Sequence, residues 1–347
     1  MNITVILCTY NRCQKLQKAL ESIAASILSE LIQWEVLIVD NNSKDHTHEV
    51  IESFIRRFPG RFRYLFEPRQ GKSNALNSGI RSAKGKIFAF VDDDVIVSPM
   101  WLHNLTAAFD QGNIGGVGGR VLLQEAVVAP KWLPLKGPLS LAGMLTLFDL
   151  GEVGNELTIP PFGANMAFPR SVFEKYGVFR TDMGPAPGSE IRNEDTEFGR
   201  RLMDGGEKLW YEPSAIVWQE VPENRLKKEY FLRFWYDHGR ATVLEKKCRP
   251  GILGIPRPWL TILKVVLVVI PMRAICWLTV FDPKKRFYFR GMVWAAVGQV
   301  VQLRRQSSSK THRIVSSSLN RLTAGKVTPA EEYCEPHKIP TVPFERT

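Results

Sequence analysis

The first 125 residues of this chain switch repeatedly between two hydrophobic periods, and no other feature restricts the fold as tightly. Ile3–Cys8, Val36–Val39, Phe62–Phe66, Ile87–Val91 and Ile114–Leu123 are short apolar runs rich in β-branched or aromatic residues. Gln14–Ile27, His46–Phe58 and Ser73–Ala83 instead carry apolar residues three and four apart, as Leu16, Ala19, Leu20, Ile23 and Ile27 do. Pro99 opens a further helical stretch to about Phe109, because proline is tolerated in a first turn. Strands alternating with helices of this length predict an α/β fold with a mostly parallel, doubly wound sheet flanked by helices. Sheets of this kind bind ligands beyond the carboxyl ends of their strands.

Polar clusters stand at those ends. The first strand runs into Thr9-Tyr10-Asn11-Arg12, the second into Asp40-Asn41-Asn42-Ser43 and the fourth into Asp92-Asp93-Asp94. Residues two apart on a strand face the same way, so Asp92 and Asp94 are expected to point together and Asp93 away. Three adjacent carboxylates repel one another unless cations or hydrogen-bond donors neutralise them. Magnesium or manganese suits such oxygen ligands, with phosphate oxygens completing the shell. An acidic turn leading to a helix capped by Ser98 would also explain the triplet. Thr9, Tyr10 and Arg12 supply a hydroxyl, an aromatic face and a cation fit for a base and a diphosphate. Asp40 can accept a hydrogen bond from a base or ribose, although Asp-Asn-Asn-Ser is also plain turn chemistry. Lys72 precedes a helix, which brings its cation to the same edge.

Residues 126–160 are rich in Pro, Gly and Leu without a clear period and read as a long loop or lid. Order resumes at Phe162-Gly163-Ala164-Asn165, followed by helices near Arg170–Tyr176 and from Asn193-Glu194-Asp195 to Met203. A carboxylate at such a helix start is favoured by the backbone dipole. It is also placed to act as a general base towards a hydroxyl. The expected divisions are 1–125 as a nucleotide-binding half, 126–248 as an acceptor-binding and catalytic-base half, 249–313 as a basic, apolar helical extension, and 314–347 as a disordered tail. With 44% hydrophobic residues over 347 positions, the chain can bury a sizeable core.

Taken in order, Thr9–Arg12, Asp40, the run Gly71–Ile80, Asp92–Asp94, Gly163-Ala164-Asn165 and Glu194-Asp195 resemble the family 2 glycosyltransferases, from the N-terminus to about residue 240. The resemblance implies a GT-A fold, a nucleoside-diphosphate-sugar donor such as a UDP- or GDP-sugar, and transfer of one sugar with inversion to a hydroxyl of a glycan or lipid-linked acceptor. It implies that Thr9, Tyr10 and Asp40 hold base and ribose, with Arg12, Lys72 and Asp93 as further nucleotide contacts. Asp92 approaches the ribose or the metal, Asp94 ligates a divalent metal, Mg2+ or Mn2+, and Asp195 is the catalytic base. Asn165 and Glu194 fall on the acceptor side. Many relatives carry a histidine where this chain has Gln219, which leaves Gln219, Glu220 or water to serve there. No Gln-x-x-Arg-Trp string of the processive synthases occurs, which favours single additions. Cell-envelope or extracellular polysaccharide synthesis is the expected setting. A sugar-phosphate nucleotidyltransferase would keep the same nucleotide fold but usually begins with a glycine-rich loop, which Thr9–Arg12 lacks. A non-catalytic nucleotide-sugar-binding protein is a third reading.

The net charge of +11 is concentrated late in the chain. Residues 1–224 hold 23 basic and 27 acidic side chains (−4), residues 225–313 hold 19 and 4 (+15), and residues 314–347 four of each. Within the basic segment, Trp259–Phe281 is apolar apart from Lys264, Arg273 and a few polar positions, and Pro271 interrupts it. About 20 apolar residues span a bilayer. A central Lys or Arg, however, costs about 2.5–3.5 kcal/mol on insertion scales. An interfacial segment is therefore expected, followed by Lys284, Lys285, Arg286 and Arg290 and bounded by the interface residues Trp259, Trp277 and Trp294. No nucleic-acid recognition motif accompanies the charge, so an anionic membrane surface, not nucleic acid, is the expected partner. The five scattered cysteines and the absence of a signal-peptide pattern fit a reducing cytoplasm, with the protein on the inner membrane face through residues 255–313.

Overall fold

The computed structural model describes residues 2–124, 129–245 and 257–323. It divides into two compact units, Met1–Phe231 and Leu232–Thr347.

In the first unit, β1 (Ile3–Thr9), β2 (Trp34–Asp40), β3 (Phe62–Phe66) and β4 (Ile87–Asp92) form the parallel block that the periodicity predicts, in the order β3-β2-β1-β4. The helices α1 (Cys13–Ala24), α2 (Thr47–Arg57) and α3 (Lys72–Ser82) connect them. All seven residues of β2 are buried, as strands covered on both faces require. Helix α3 lies so close to the sheet that a Cβ at Gly79 would stand 2.6 Å from Ile6 Cγ2.

Beyond β4 the sheet is mixed rather than mostly parallel. The strands β5 (Val95–Val97), β6 (Gly116–Leu123), β7 (Asn155–Glu156), β8 (Asn165–Pro169) and β9 (Leu209–Gln219) continue it in the order β4-β8-β6-β9-β5, with β7 also on β9. Strand β8 runs antiparallel between β4 and β6, and β5 and β7 are antiparallel to β9. The division at residue 125 therefore falls within one sheet, and the first unit runs across it to Phe231. The helical stretch after Pro99 is α4 (Trp101–Ala107), continued by a 3-10 turn to Gln111. Ser98 does not cap it with its side chain; its carbonyl accepts from Trp101 N and its amide donates to the Ile216 carbonyl.

The expected lid is a pinned loop. Phe148 bridges to Val121 and packs on Phe162 and Tyr211, while Tyr230 donates to the Met144 carbonyl at 2.9 Å. Residues 126–128 of that stretch lie outside the described residues.

Helices α5 (Arg170–Tyr176) and α6 (Glu194–Asp204) pack through an aromatic cluster. Phe198 of α6 stacks on Phe173 at 4.9 Å and meets Phe179 and Phe168 at 4.8 and 5.2 Å. Such ring pairs add to the area they bury. This cluster holds the start of α6 in place.

Helix α7 (Lys228–Glu245) crosses from the first unit into the second. The second unit continues with α8 (Arg257–Lys264), a π-helical turn at Val265–Val269, α9 (Ile270–Thr279) and α10 (Pro283–Thr323). Glycines allow α10 to approach α7. Gly291 faces the Trp235 ring, Gly298 the Tyr236 carbonyl, and Gly239 the Ala295 backbone. Arg240 donates to Asp237 at 2.9 Å within this contact. The helical backbone continues to Thr323, ten residues into the expected tail; residues 324–347 and 246–256 lie outside the described residues.

Candidate active site

The carboxyl ends of β1, β2 and β4 lie side by side. Thr9 is in register with Asp40, and Cys8 with Asp92. Strand β4 ends at Asp92, so Asp93 and Asp94 form a turn and strand alternation does not govern the triplet. Arg12 Nη1 donates to Asp93 Oδ1 at 2.8 Å and to Asp94 Oδ2 at 3.2 Å. Thr9 Oγ1 donates to Asp93 Oδ2 at 2.7 Å. Asp93 is therefore a buried anchor, not an outward ligand contact, and it is Asp93 and Asp94 that share a partner. Burial raises the Asp93 carboxyl above its ordinary range, Arg12 opposing and Asp94 adding to the rise. Arg225, on a 3-10 turn after β9, brings a second guanidinium to 3.9 Å from Asp94.

Asp92 turns the other way, accepting from Lys72 Nζ at 2.8 Å. Burial alone would raise Asp92, but Lys72, then Arg12 and Arg225, hold it below the usual carboxylate range. Lys72 opens α3 behind Gly71, whose φ of +131° suits only glycine. Its Nζ also lies 3.6 Å from Glu194 Oε1. Burial works against the ammonium charge, yet Asp92, Glu194 and Asp195 keep Lys72 protonated above its ordinary range. A Cβ at Gly163 would stand 3.1 Å from Asp195 Oδ2 and 3.6 Å from Lys72 Nζ, so glycine lets these groups close on one peptide. The Gly163 amide donates to Asp195 Oδ2 at 2.7 Å and the Thr196 amide to Oδ1 at 2.6 Å, which fixes the carboxylate plane.

Two amide side chains to which the sequence assigned no role set this geometry. Asn77 of α3 donates to the Phe179 carbonyl at 2.8 Å and accepts from the Phe179 amide at 3.0 Å. That clamp ties the helix carrying Lys72 to the segment leading to α6. Asn41 does the same for the loop before Lys72, accepting from Gly71 N and donating to the Glu67 and Arg69 carbonyls. Both residues stand in the polar clusters named above, whose turn-forming and helix-face pattern does not reveal these partners.

The remaining expected contacts divide. Asp40 is buried and accepts from Ser43 N at 2.9 Å and Tyr64 Oη at 3.2 Å. Tyr10 is exposed at the mouth of β1. Asn165 does not face an acceptor. It is 0% exposed, accepts from Trp101 Nε1 at 2.8 Å and donates to the Arg120 and Ala215 carbonyls at 3.0 and 2.7 Å. Its amide spans β6, β9 and α4, and Gly119 leaves room for it. Asn165→Ala leaves one indole donor and two carbonyls unpaired, so a loss of about 3–5 kcal/mol in unfolding free energy is expected from chemical denaturation.

Burial pushes Glu194 up to about 7 from its ordinary 4.5, Lys72 pulling down and Asp195 pushing further up. Its Oε2 finds no hydrogen-bond partner among the described residues. Because the folded value is the higher one, this carboxyl's contribution is fully present below about 4.5 and lost as pH rises through 7. Ligand-free Glu194→Gln should therefore match wild-type stability near pH 4.5 and exceed it at pH 8 by on the order of 2 kcal/mol in denaturation curves.

Gln219 closes β9 opposite Val95, the residue after Asp94. It is 2% exposed, and its Oε1 is buried with no hydrogen-bond partner among the described residues. Among those residues no three His, Cys, Asp or Glu side chains gather in a metal-binding arrangement. The oxygen donors at the acidic turn are nonetheless of the hard type that Mg2+ or Mn2+ accepts when phosphate oxygens fill the rest of the shell.

Known proteins are similar to this chain. The model of the family described as Glycosyl transferase family 2 matches residues 4–177. The succinoglycan biosynthesis protein ExoM of Rhizobium meliloti is 28% identical over 246 residues, covering 69% of this chain and 75% of its own. An uncharacterized glycosyltransferase of Nostoc sp., alr2836, is 28% identical over 52% of this chain, and the match spans only 54% of its length. Among solved structures, the mannosyltransferase PcManGT of Pyrobaculum calidifontis, in complex with GDP-Man and Mn2+, superposes with a TM-score of 0.56 at 19% identity, covering 86% of this chain and 87% of its own. The fold is GT-A, and the chain belongs to the family 2 glycosyltransferases.

Proposed function

We propose that this glycosyltransferase moves one sugar, with inversion, from a nucleoside-diphosphate sugar to a hydroxyl of a glycan or lipid-linked acceptor, in a divalent-metal-dependent reaction. The observation that carries the reading is Lys72, whose ammonium lies between Asp92 on the donor side and Glu194, the neighbour of Asp195, on the other. A nucleotide entering over β1 and β2 would meet Thr9, Tyr10 and Asp40 with its base and ribose. Its diphosphate would lie between the acidic turn and the cations Arg12, Lys72 and Arg225. Asp92 and Asp94 would hold Mg2+ or Mn2+, which supplies Lewis-acid stabilisation of the departing diphosphate. The oxygen donors at the turn and the unpartnered Gln219 Oε1 beside it support that assignment.

Asp195, aligned by the Gly163 and Thr196 amides, would take the acceptor hydroxyl's proton as that oxygen attacks the anomeric carbon. With base and leaving group on opposite faces of the sugar, one displacement inverts the centre. Arg12, Arg225 and Lys72, each held by a carboxylate of the acidic turn, would flank the leaving diphosphate and need little reorganisation as charge develops. The succinoglycan protein and the GDP-Man complex support a polysaccharide setting and a nucleotide-sugar donor.

The same reading puts the protein on the cytoplasmic face of a membrane through residues 255–313. Its support is Trp259–Thr279, 21 residues long and apolar enough to cross a bilayer by length and composition. The test of the chemistry is proton NMR of the product formed from an α-linked nucleotide sugar. A single added residue in the β configuration is expected; an α product rules out the one-displacement mechanism.

A further inference from the structure

The second unit carries charge and apolar surface in a pattern that says how it meets a membrane. Helices α9 and α10 form an antiparallel hairpin. Arg273 on α9 donates to the Met292 carbonyl of α10 at 2.8 Å, and Trp277, one turn later, lies under the Arg290 guanidinium at 5.6 Å. One face of the helical run is covered, with Ile262 and Val265 buried. The other exposes Leu263, Val266, Leu267, Met272, Ile275 and Leu278, and Phe281 protrudes at the tip with 93% exposure. Next to Phe281, Lys284, Lys285 and Arg286 are exposed.

Residues 257–323 contain twelve Lys and Arg but a single acid, Asp282. That acid caps the first turn of α10, accepting from Lys285 N at 2.8 Å. Arg273 and Arg290 therefore have a carbonyl and a ring as neighbours instead of a carboxylate, and Arg290 Nε is buried without a hydrogen-bond partner among the described residues. Half-buried guanidinium groups set in apolar surroundings call for an anion. A hairpin crossing the bilayer would carry Arg273 and Arg290 into the hydrocarbon and put Lys284, Lys285 and Arg286 on the far side. Both are unfavourable. Lying in the interface, the hairpin leaves every one of these cations at phosphate depth while the exposed apolar face enters the acyl chains.

Resting on the membrane reading above, we propose that the α8–α10 hairpin is a one-leaflet anchor selective for anionic lipid. Arg273 and Arg290 take headgroup phosphate oxygens, and the Phe281–Arg286 tip stays on the side it entered from. The experiment sediments full-length protein with vesicles of neutral phosphatidylcholine, or of phosphatidylcholine with 30% phosphatidylglycerol. About tenfold stronger partition onto the anionic vesicles is expected. Arg273→Gln with Arg290→Gln should reduce it about five- to tenfold, and the corresponding double lysine variant should restore most of it. Circular dichroism confirms that each variant keeps its helix content. If the glutamine variant partitions like wild type, the phosphate role is wrong. Sidedness is read from Lys284→Cys in membranes of producing cells, using an impermeant maleimide and mass spectrometry of the labelled peptide. Labelling from the cytoplasmic face is expected. Labelling only from the opposite face overturns the one-leaflet anchor yet leaves membrane association standing, whereas failure to bind either vesicle removes both.

Discussion

Replacing Asp195 by asparagine is expected to lower kcat for sugar transfer by about 10²–10⁴-fold, while donor affinity stays within about twofold. The substitution is nearly isosteric, and the introduced amide oxygen can still accept from the Gly163 amide, so the start of α6 keeps its place. What is lost is the oxygen that takes the acceptor's proton. The split between kcat and donor binding matters because a structural role for Asp195 would disturb both. Single-turnover transfer and calorimetric binding of the nucleoside diphosphate separate the two. Asn193 or Glu194 cannot substitute: Asn193 has no basic oxygen, and Glu194 is buried against Lys72.

Chelation of divalent cations, or Asp94→Ala, should reduce kcat/KM by about 10²–10⁴-fold, the several kcal/mol that a bound metal contributes to a departing diphosphate. The charge balance explains the size. Asp92, Asp93 and Asp94 are matched in the structure by Lys72, Arg12 and Arg225. An incoming diphosphate upsets this balance, since each unpaired pair of like charges 4 Å apart costs about 4 kcal/mol at an effective dielectric of 20. A dication between turn and phosphates removes that repulsion. In nucleotide-binding assays the wild type should therefore respond strongly to Mn2+, and Asp94→Ala should respond little. Asp93 should behave differently. As a buried partner of Thr9 and Arg12, its loss should lower stability as well as binding.

The parallel half of the fold was legible because its strands are continuous apolar runs and its helices keep a clean 3.6-residue period. Strands β5 and β8 were not. Val95–Val97 has three residues directly after the acidic turn, and Asn165–Pro169 starts with a polar residue and ends on proline. Neither is long enough to show a period, and both are held by neighbours far along the chain.

The site was legible to the same degree. Clusters at the ends of β1, β2 and β4 converge because strand ends in a parallel block must. The alternation expected for Asp92–Asp94 failed for a local reason, since the strand stops at Asp92. Asn165 looked like a ligand contact because an amide reads the same whether it meets a sugar or, as here, an indole and two carbonyls. Asn77 and Arg225 were given no role for the converse reason. Their partners, Phe179 and Asp94, lie 102 and 131 positions away in sequence, so no local pattern names the contact.

The central claim is that the acidic turn and Asp195 belong to one transferase site supplied by a nucleotide sugar. Incubating the purified protein with a panel of UDP- and GDP-sugars, Mn2+ and an acceptor mixture, and measuring phosphate-containing products, tests it most directly. Release of nucleoside diphosphate from at least one donor by the wild type, lost in Asp195→Asn and in Asp94→Ala, is the predicted result. Release undiminished in those two variants, or pyrophosphate formed from a nucleoside triphosphate and a sugar phosphate in place of any nucleoside diphosphate, would contradict it.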